Sequence, residues 1–190
     1  NIAAAIAGAE LQGQVMLAGP NWVLDTSVIG LGGADAAGIT GSLPYLWWDE
    51  LDNLGVQVVS NSWAVNRYLP AGDDADAQRA ALGTRNIAYL LSFPTMDLYI
   101  ELLIRAINNV GYENLNGQAV YDVLTNDFEY SAMAGILNVA YDETNRAVAN
   151  SRIGQIQFIE SGDGVLPTIA ALNDFMDVPD LKVNGADAME

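Results

Sequence analysis

The chain has no cysteine, no histidine and a single lysine, Lys182. Without cysteine, no disulfide braces the fold and no thiolate can act as nucleophile; an oxidising compartment is permitted but not required. Without histidine, the commonest general base and zinc ligand is gone, so a serine–histidine triad and a typical zinc centre are excluded. Positive charge is scarce: 7 basic residues stand against 24 acidic ones, for a net charge of −17 over 190 residues. Such a field repels phosphate backbones, which makes nucleic acid a poor partner, and it suits a salty or extracytoplasmic setting. Apolar residues are plentiful, at 51%, so a chain of ordinary domain length can bury a real core. The longest helical candidate, near Leu98 to Val110, is interrupted by Glu101 and Arg105, so no segment is expected to span a membrane. No motif implies a metal or cofactor.

The chain opens with "NIAAAIAGAELQG", which lacks an initiator methionine and a signal peptide and reads as the middle of a helix. Ile2, Ala5, Ile6 and Ala9 form an apolar stripe at helical spacing, closed by Gly13. "QVMLAGP" then reads as a short buried strand. A helix–strand opening without a first strand suggests an α/β protein met partway, hence a truncated or nicked chain. Asp25, Thr26 and Ser27 can cap a short helix through Ile29. The glycines of "GLGGADAAG" stop it; their spacing fits neither a phosphate loop with its lysine nor a dinucleotide fingerprint. They read as a turn before a strand in "GITGSLPY".

Residues 55–80 read as irregular, with "VQVVSNSWAV" strand-like and "PAGDDADAQ" a turn. Asp73, Asp74 and Asp76 lack the glycine and distal glutamate of a calcium loop, so capping of "AQRAALGTR" is the preferred reading. The clearest helix is expected from about Pro94 to Asn109, with Thr95 and Asp97 near its start and Gly111 ending it. "NGQAVYDVLTN" gives another. "EYSAMAGILNVAYDETNRAVANSRIGQIQFIESG" reads as a loop, a strand, a turn at Asp142–Asn145 and a strand closing in a Gly-Asp-Gly turn, followed by a polar tail.

In this order, the elements resemble the C-terminal part of a type I periplasmic solute-binding protein, in the leucine/isoleucine/valine-binding branch of ABC-transporter receptors. "IAAAIAGAELQGQVMLAGPNW" resembles that family's helix, glycine and strand ending at the ligand cleft. "GADAAGITGSLPY" resembles its glycine-rich turn and the strand leaving the second lobe. "DLYIELLIRAINNVGYENLNGQAVYDVL" resembles its helix–turn–helix, and "AGILNVAYDETNRAVANSRIGQIQFIESGDG" its final strands. The resemblance covers most of residues 1–165. It implies an α/β fold with two Rossmann-like lobes joined by hinge crossovers. Residues 1–43 would belong to the second lobe and 46–145 to the first, with 146–190 returning to the second and ending in the tail. It further implies a non-enzymatic receptor that encloses a small solute, with an ABC-transporter permease and the missing N-terminal part of the same protein as partners; a sensory or regulatory ligand-binding module on the same fold is an alternative. The setting would be periplasmic or extracellular, with membrane anchoring through an upstream lipoprotein signal.

"GSLPYLWWDE" is the stretch richest in chemistry. Adjacent Asp49 and Glu50 point in different directions on a strand or helix, so they cannot together flank one glycosidic bond. A hydrolase using either would need a distant partner. The resemblance places Tyr45 and Trp47 at a crossover, where aromatics can line a closing cleft or simply pack a lobe. In amino-acid-binding relatives, a carboxylate after the "GP" strand end holds the ligand's ammonium group. Asn21 stands there, with Trp22 beside it, and supplies no countercharge. Phe93 lies near the start of the expected long helix. Asp97, in its first turn, could hold a cationic group or favour the helix N-terminus. The implied ligand set is Asn21, Trp22, Tyr45, Trp47, Phe93 and Asp97, for a small solute that is neutral or anionic rather than a free branched-chain amino acid.

Overall fold

The computed structural model describes residues 2–178, apart from 12, 146, 162 and 163. A first helix, α1 (Ile2–Gly8), precedes a two-residue strand, β1 (Ala18–Gly19), and a 3-10 turn over Asn21–Leu24. Helix α2 (Thr26–Gly32) begins where Asp25 Oδ1 accepts from the Ser27 amide at 3.0 Å, as the Asp-Thr-Ser signal predicts. Strand β2 (Thr40–Leu43) pairs with β1 in parallel, with Ala18 opposite Thr40. The long strand β5 (Asn150–Ser161) then runs antiparallel to β2, placing Leu43 opposite Arg152. β6 (Gly164–Ala171) lies outside β5, and β7 (Met176–Asp177) pairs with the other end of β5. Along β5, buried Arg152, Gly154 and Ile156 alternate with less buried neighbours, which gives the strand one core face. Gly154 is required there: a Cβ would come within 2.7 Å of the Leu24 side chain that covers the sheet.

The remaining elements are mostly helical. They are α3 (Leu54–Trp63), continued by a π-type turn over Ala64–Tyr68, then α4 (Ala75–Gly83), α5 (Ile87–Val110) and α6 (Gly117–Thr125). A two-stranded antiparallel hairpin follows, β3 (Phe128–Ala132) and β4 (Leu137–Tyr141). One buried cluster joins the large sheet to the crossover and α3, through Leu24, Leu43, Tyr45, Val56, Ile87 and Ile156. A second lies between α5, α6 and the hairpin, around Leu102, Ala106, Val123 and Phe128.

Six expectations are corrected. "VQVVSNSWAV" is largely helix α3 and not a strand. Asn53 caps it through the Val56 amide at 3.1 Å, and Val56, Val59 and Trp63 fall on one buried face. Burial along that face overrides the strand preference of the valines. The long helix begins at Ile87 rather than Pro94, because Asn86 accepts from the Tyr89 amide at 3.0 Å and the buried series Ile87, Leu90, Pro94 keeps helical spacing. Pro94 is therefore interior, where it forgoes the bond to the Leu90 carbonyl. The extended α5 is, by length and composition, apolar enough to cross a membrane, contrary to the expectation that no segment is. "EYSA" is part of β3 and not a loop, and β6 replaces the start of the polar tail. In α1 the buried residue is Ala3, while Ile2 of the expected stripe is 71% exposed.

Local signals did better. Asp74 caps α4 through the amides of Asp76 and Ala77, and Gly111, at φ 80°, ends α5. The Asp142–Asn145 turn closes with the Asp142 amide donating to the Asn145 carbonyl at 2.8 Å. Part of the Gly-Asp-Gly turn, and the tail beyond residue 178, lie outside the described residues.

Candidate functional site

Residues 44–50 cross from β2 to α3, and the backbone ties this segment to the hairpin. Tyr45 forms an isolated antiparallel bridge with Leu137, and the Leu46 amide donates to the Ile136 carbonyl at 3.0 Å. Tyr45 is 1% exposed, and its hydroxyl has no hydrogen bond of good geometry. Burial pushes its phenol up to about 12; a loose contact with the Asn21 side chain opposes the shift, and the charge of Asp25 adds to it. The turn after β1 and the segment after β2 thus meet, bringing together Asn21 and Tyr45. They meet beyond the carboxyl ends of two parallel strands, where open α/β sheets place ligands.

Trp47 stays beside Tyr45, and the other predicted residues diverge. Trp22, on the same 3-10 turn as Asn21, is 58% exposed. Trp47 is buried and its ring lies 6.4 Å from that of Tyr45. Phe93 belongs to a different aromatic row. Its ring is 5.6 Å from Tyr89, which is 5.9 Å from Trp48, which is 6.2 Å from Trp63. Asp97 lies well inside α5 rather than in its first turn, which corrects the helix-terminus position. Its Oδ2 accepts from the Met133 amide at 2.7 Å, fixing the hairpin's tight turn. The Tyr130 phenol is raised above its usual value, first by desolvation and then by its bond to Asp97 and the Asp97 charge.

Asp49 and Glu50 do part company. Asp49 is exposed and accepts from Thr168 Oγ1 at 3.3 Å. Glu50 turns inward to Arg152, which is buried on β5. Arg152 Nη1 donates to Glu50 Oε1 at 2.8 Å, and Nη2 donates both to Glu50 Oε2 and to the Tyr45 carbonyl, the latter at 3.1 Å. Glu50 Oε2 also accepts from the Trp47 amide at 2.5 Å, and the Arg152 guanidinium lies 4.5 Å from the centre of the Phe175 ring. This bidentate pair clasps the crossover at Tyr45 and Trp47. Sequence reasoning missed it, and the signal it could have used was scarcity. In a chain with 7 basic residues, an arginine inside an apolar strand pattern needs a carboxylate.

Arg85 was missed too. It lies over the rings of Trp48 and Trp63, at 5.2 and 5.7 Å, and donates to the Trp48 carbonyl at 3.2 Å. Burial lowers its pKa, and the charge of Asp49 opposes that shift. Trp48, adjacent to Trp47 but directed the other way, is therefore the centre of the aromatic row. Cavities among the described residues lie elsewhere. One of about 320 Å³ is lined by residues 13–17, Asp35 and 37–39, with Ala3, Ile6 and Gln155, at the amino ends of β1 and β2. An apolar groove of about 610 Å³ separates α1 from α2. Among the described residues, no group of three or more acidic side chains is placed to hold a metal.

The architecture is α/β, of the type I periplasmic-binding-protein kind. No protein-family model matches the chain, and no curated protein sequence does. Its structure is similar to that of a branched-chain amino-acid ABC transporter protein from Thermus thermophilus, solved with bound valine. The TM-score is 0.50 and the identity 14%, with 91% of this chain covered and 43% of that one. At that identity the likeness shows the fold, and the chain spans less than half the length of its structural neighbour.

Proposed function

We propose that this chain is part of a ligand-binding receptor of an ABC importer, without catalytic activity of its own. The observation that carries the reading is the convergence of Asn21 and Tyr45 beyond the carboxyl ends of β1 and β2, in a fold similar to a transporter protein solved with valine. On this reading residues 1–43 belong to the second lobe and 46–145 to the first, and the chain then returns to the second lobe before its C-terminal tail. The pairing of β2 with β5, which sets Ser42 opposite Ile153, and the contact between the Ser42 and Ser151 hydroxyls, 109 residues apart, support that division. A further part of the same protein completes the fold. A small solute, an amino acid or a related organic acid or amide, binds between the lobes and favours the closed form by its higher affinity for it. The setting is extracytoplasmic, with a lipoprotein anchor and a membrane permease as partner.

Asn21, Trp22, Tyr45, Trp47, Phe93 and Asp97 remain the proposed contacts, in two groups. Asn21, Tyr45 and Trp47 stand together at the crossover. Trp22 is free to fold over a ligand. Phe93 and Asp97 serve only if closure brings α5 to the same solute. A hydrolase using Glu50 is disfavoured, since both of its oxygens are engaged by Arg152. Calorimetry on the protein made from its uninterrupted gene tests the reading, with leucine, its keto acid and aromatic acids as probes. Saturable binding without turnover is expected; hydrolysis of a glycoside or ester, abolished by Asp49→Asn or Glu50→Gln, would overturn it.

A further inference from the structure

Arg152 joins three passages of the chain at the place where residues 44–50 leave the large sheet. From the returning strand β5 its guanidinium reaches the outgoing passage, holding both oxygens of Glu50 and the Tyr45 carbonyl. The third passage follows β6. Ala171 pairs with Gly154 and Met176 with Ser151, so this side of the ladder carries two more residues than β5 does, and it bulges. The bulge sets the Phe175 ring over the guanidinium at 4.5 Å. Asn173 Oδ1 pins it by accepting from the Ile153 amide at 2.8 Å. Lesser bonds also connect residues 1–43 and the β5–β6 hairpin to residues 46–145. Thr168 Oγ1 donates to Asp49 at 3.3 Å, and the Ile87 amide to Asp25 at 3.3 Å.

A buried ion pair adds little net stability over an apolar pair of similar size, because desolvation offsets the attraction. What it adds is direction. The apolar cluster shared by the two sides, which includes Leu43, Ile156, Tyr45 and Ile87, is non-directional, whereas a bidentate fork sets an angle. The same junction holds buried polar atoms with no hydrogen bond of good geometry: the Tyr45 hydroxyl, Asn150 Oδ1 and Arg152 Nε. Each gains a water partner if the junction parts, so these atoms oppose the fork. We propose that the Arg152–Glu50 fork is a conformational latch, which holds residues 46–145 at one angle to the β2–β5 sheet and frees that angle when it parts. Arg152 is thereby a positioning residue for Tyr45 and Trp47. It acts through the Tyr45 carbonyl and through Glu50, which accepts from the Trp47 amide. The latch rests on contacts within this chain; only its use, in setting the angle at which two lobes meet a solute, rests on the receptor reading.

The absence of cysteine allows a clean pair of spin labels, at Ala34→Cys in the turn before β2 and Glu113→Cys between α5 and α6, both exposed. Pulsed double electron–electron resonance on the full-length protein, without added solute, reads the distance between them. With Glu50 and Arg152 intact, one narrow distance is expected. Glu50→Gln, which keeps the shape and removes the charge, should add a second, shifted distance. Arg152→Lys, which keeps the charge without the fork, should do the same. The double variant Glu50→Leu with Arg152→Met separates a latch from simple packing. It should regain thermal stability and helical content yet still show the second distance, because apolar side chains restore burial without direction. An unshifted, narrow distance in the folded double variant overturns the proposal, as does a broad distribution with the fork intact. Where the double variant does not fold, Glu50→Gln and Arg152→Lys carry the test, and an unshifted distance in both overturns the proposal equally. Titration with leucine, its keto acid and aromatic acids is a separate arm. Shifted distances in the variants with no solute bound leave the latch standing and sink the receptor reading alone.

Discussion

Arg152 is the residue on which most of the crossover's polar contacts converge. With the pair intact, its charge is neutralised by Glu50 and Nη2 also reaches the Tyr45 carbonyl, while the buried Nε has no hydrogen-bond partner. Removing one partner strands a buried charge, so Glu50→Leu or Arg152→Met alone should cost about 3–5 kcal/mol. The double variant removes both charges and should recover most of that loss. Urea unfolding of all three measures it, and single variants within about 0.5 kcal/mol of wild type would show that the clasp is solvated. Tyr45 gives a pH-dependent counterpart. Its folded pKa lies above the unfolded value, so the favourable neutral phenol is fully retained below pH 10.0 and stability falls as pH rises towards about 12. Tyr130 and Tyr141 are also raised, so the test is a difference. Tyr45→Phe should flatten the decline between pH 10.0 and about 12 relative to wild type. It should not lower stability at neutral pH, since the hydroxyl it removes is unpaired.

At the scale of elements, α3 depends on its first turn. Asn53 caps the Val56 amide and also donates to the Ala134 carbonyl at 2.8 Å, linking the helix to the hairpin. Asn53→Ala should therefore cost about 1–2 kcal/mol. Gly55→Ala should cost more, because a Cβ there would overlap the Met133 carbonyl, a backbone atom that cannot turn aside. Thermal unfolding ranks the two, and a reversed order would mean that the hairpin does not press on α3. The helices and strands that sequence reading found are those whose ends carry their own chemistry. Asp25, Asp74 and Asn116 cap helices through amides two or three residues away, and Gly111 ends one at positive φ. Of the elements it misread, α3 carries such a cap too, at Asn53, yet its buried face is set by partners distant in sequence, and β3 is set by its pairing with β4. Local valine preference pointed the wrong way in the first case, and turn-like composition did so in the second.

For the whole molecule, the proposed receptor reading makes a prediction at Asn21, where the family resemblance implies a carboxylate. On that reading, Asn21→Asp in the full-length protein should strengthen leucine binding about ten- to a hundredfold, matching a charge-assisted bond of about 1.5–3 kcal/mol. It should weaken binding of the keto acid. Calorimetry reads both, and leucine affinity indifferent to the change would place the ammonium partner elsewhere. By itself the sequence determined the excluded chemistries, the α/β class, several caps and turns, and the likeness in fold. Each of these depends on composition or on residues within a turn of one another. Only the tertiary structure decided that Trp48 rather than Trp47 joins the aromatic row, that Glu50 meets Arg152 across 102 residues, and that α5 keeps one apolar face, from Met96 to Ile104, uncovered. Those facts depend on which distant segments fold together, and no local spacing encodes that.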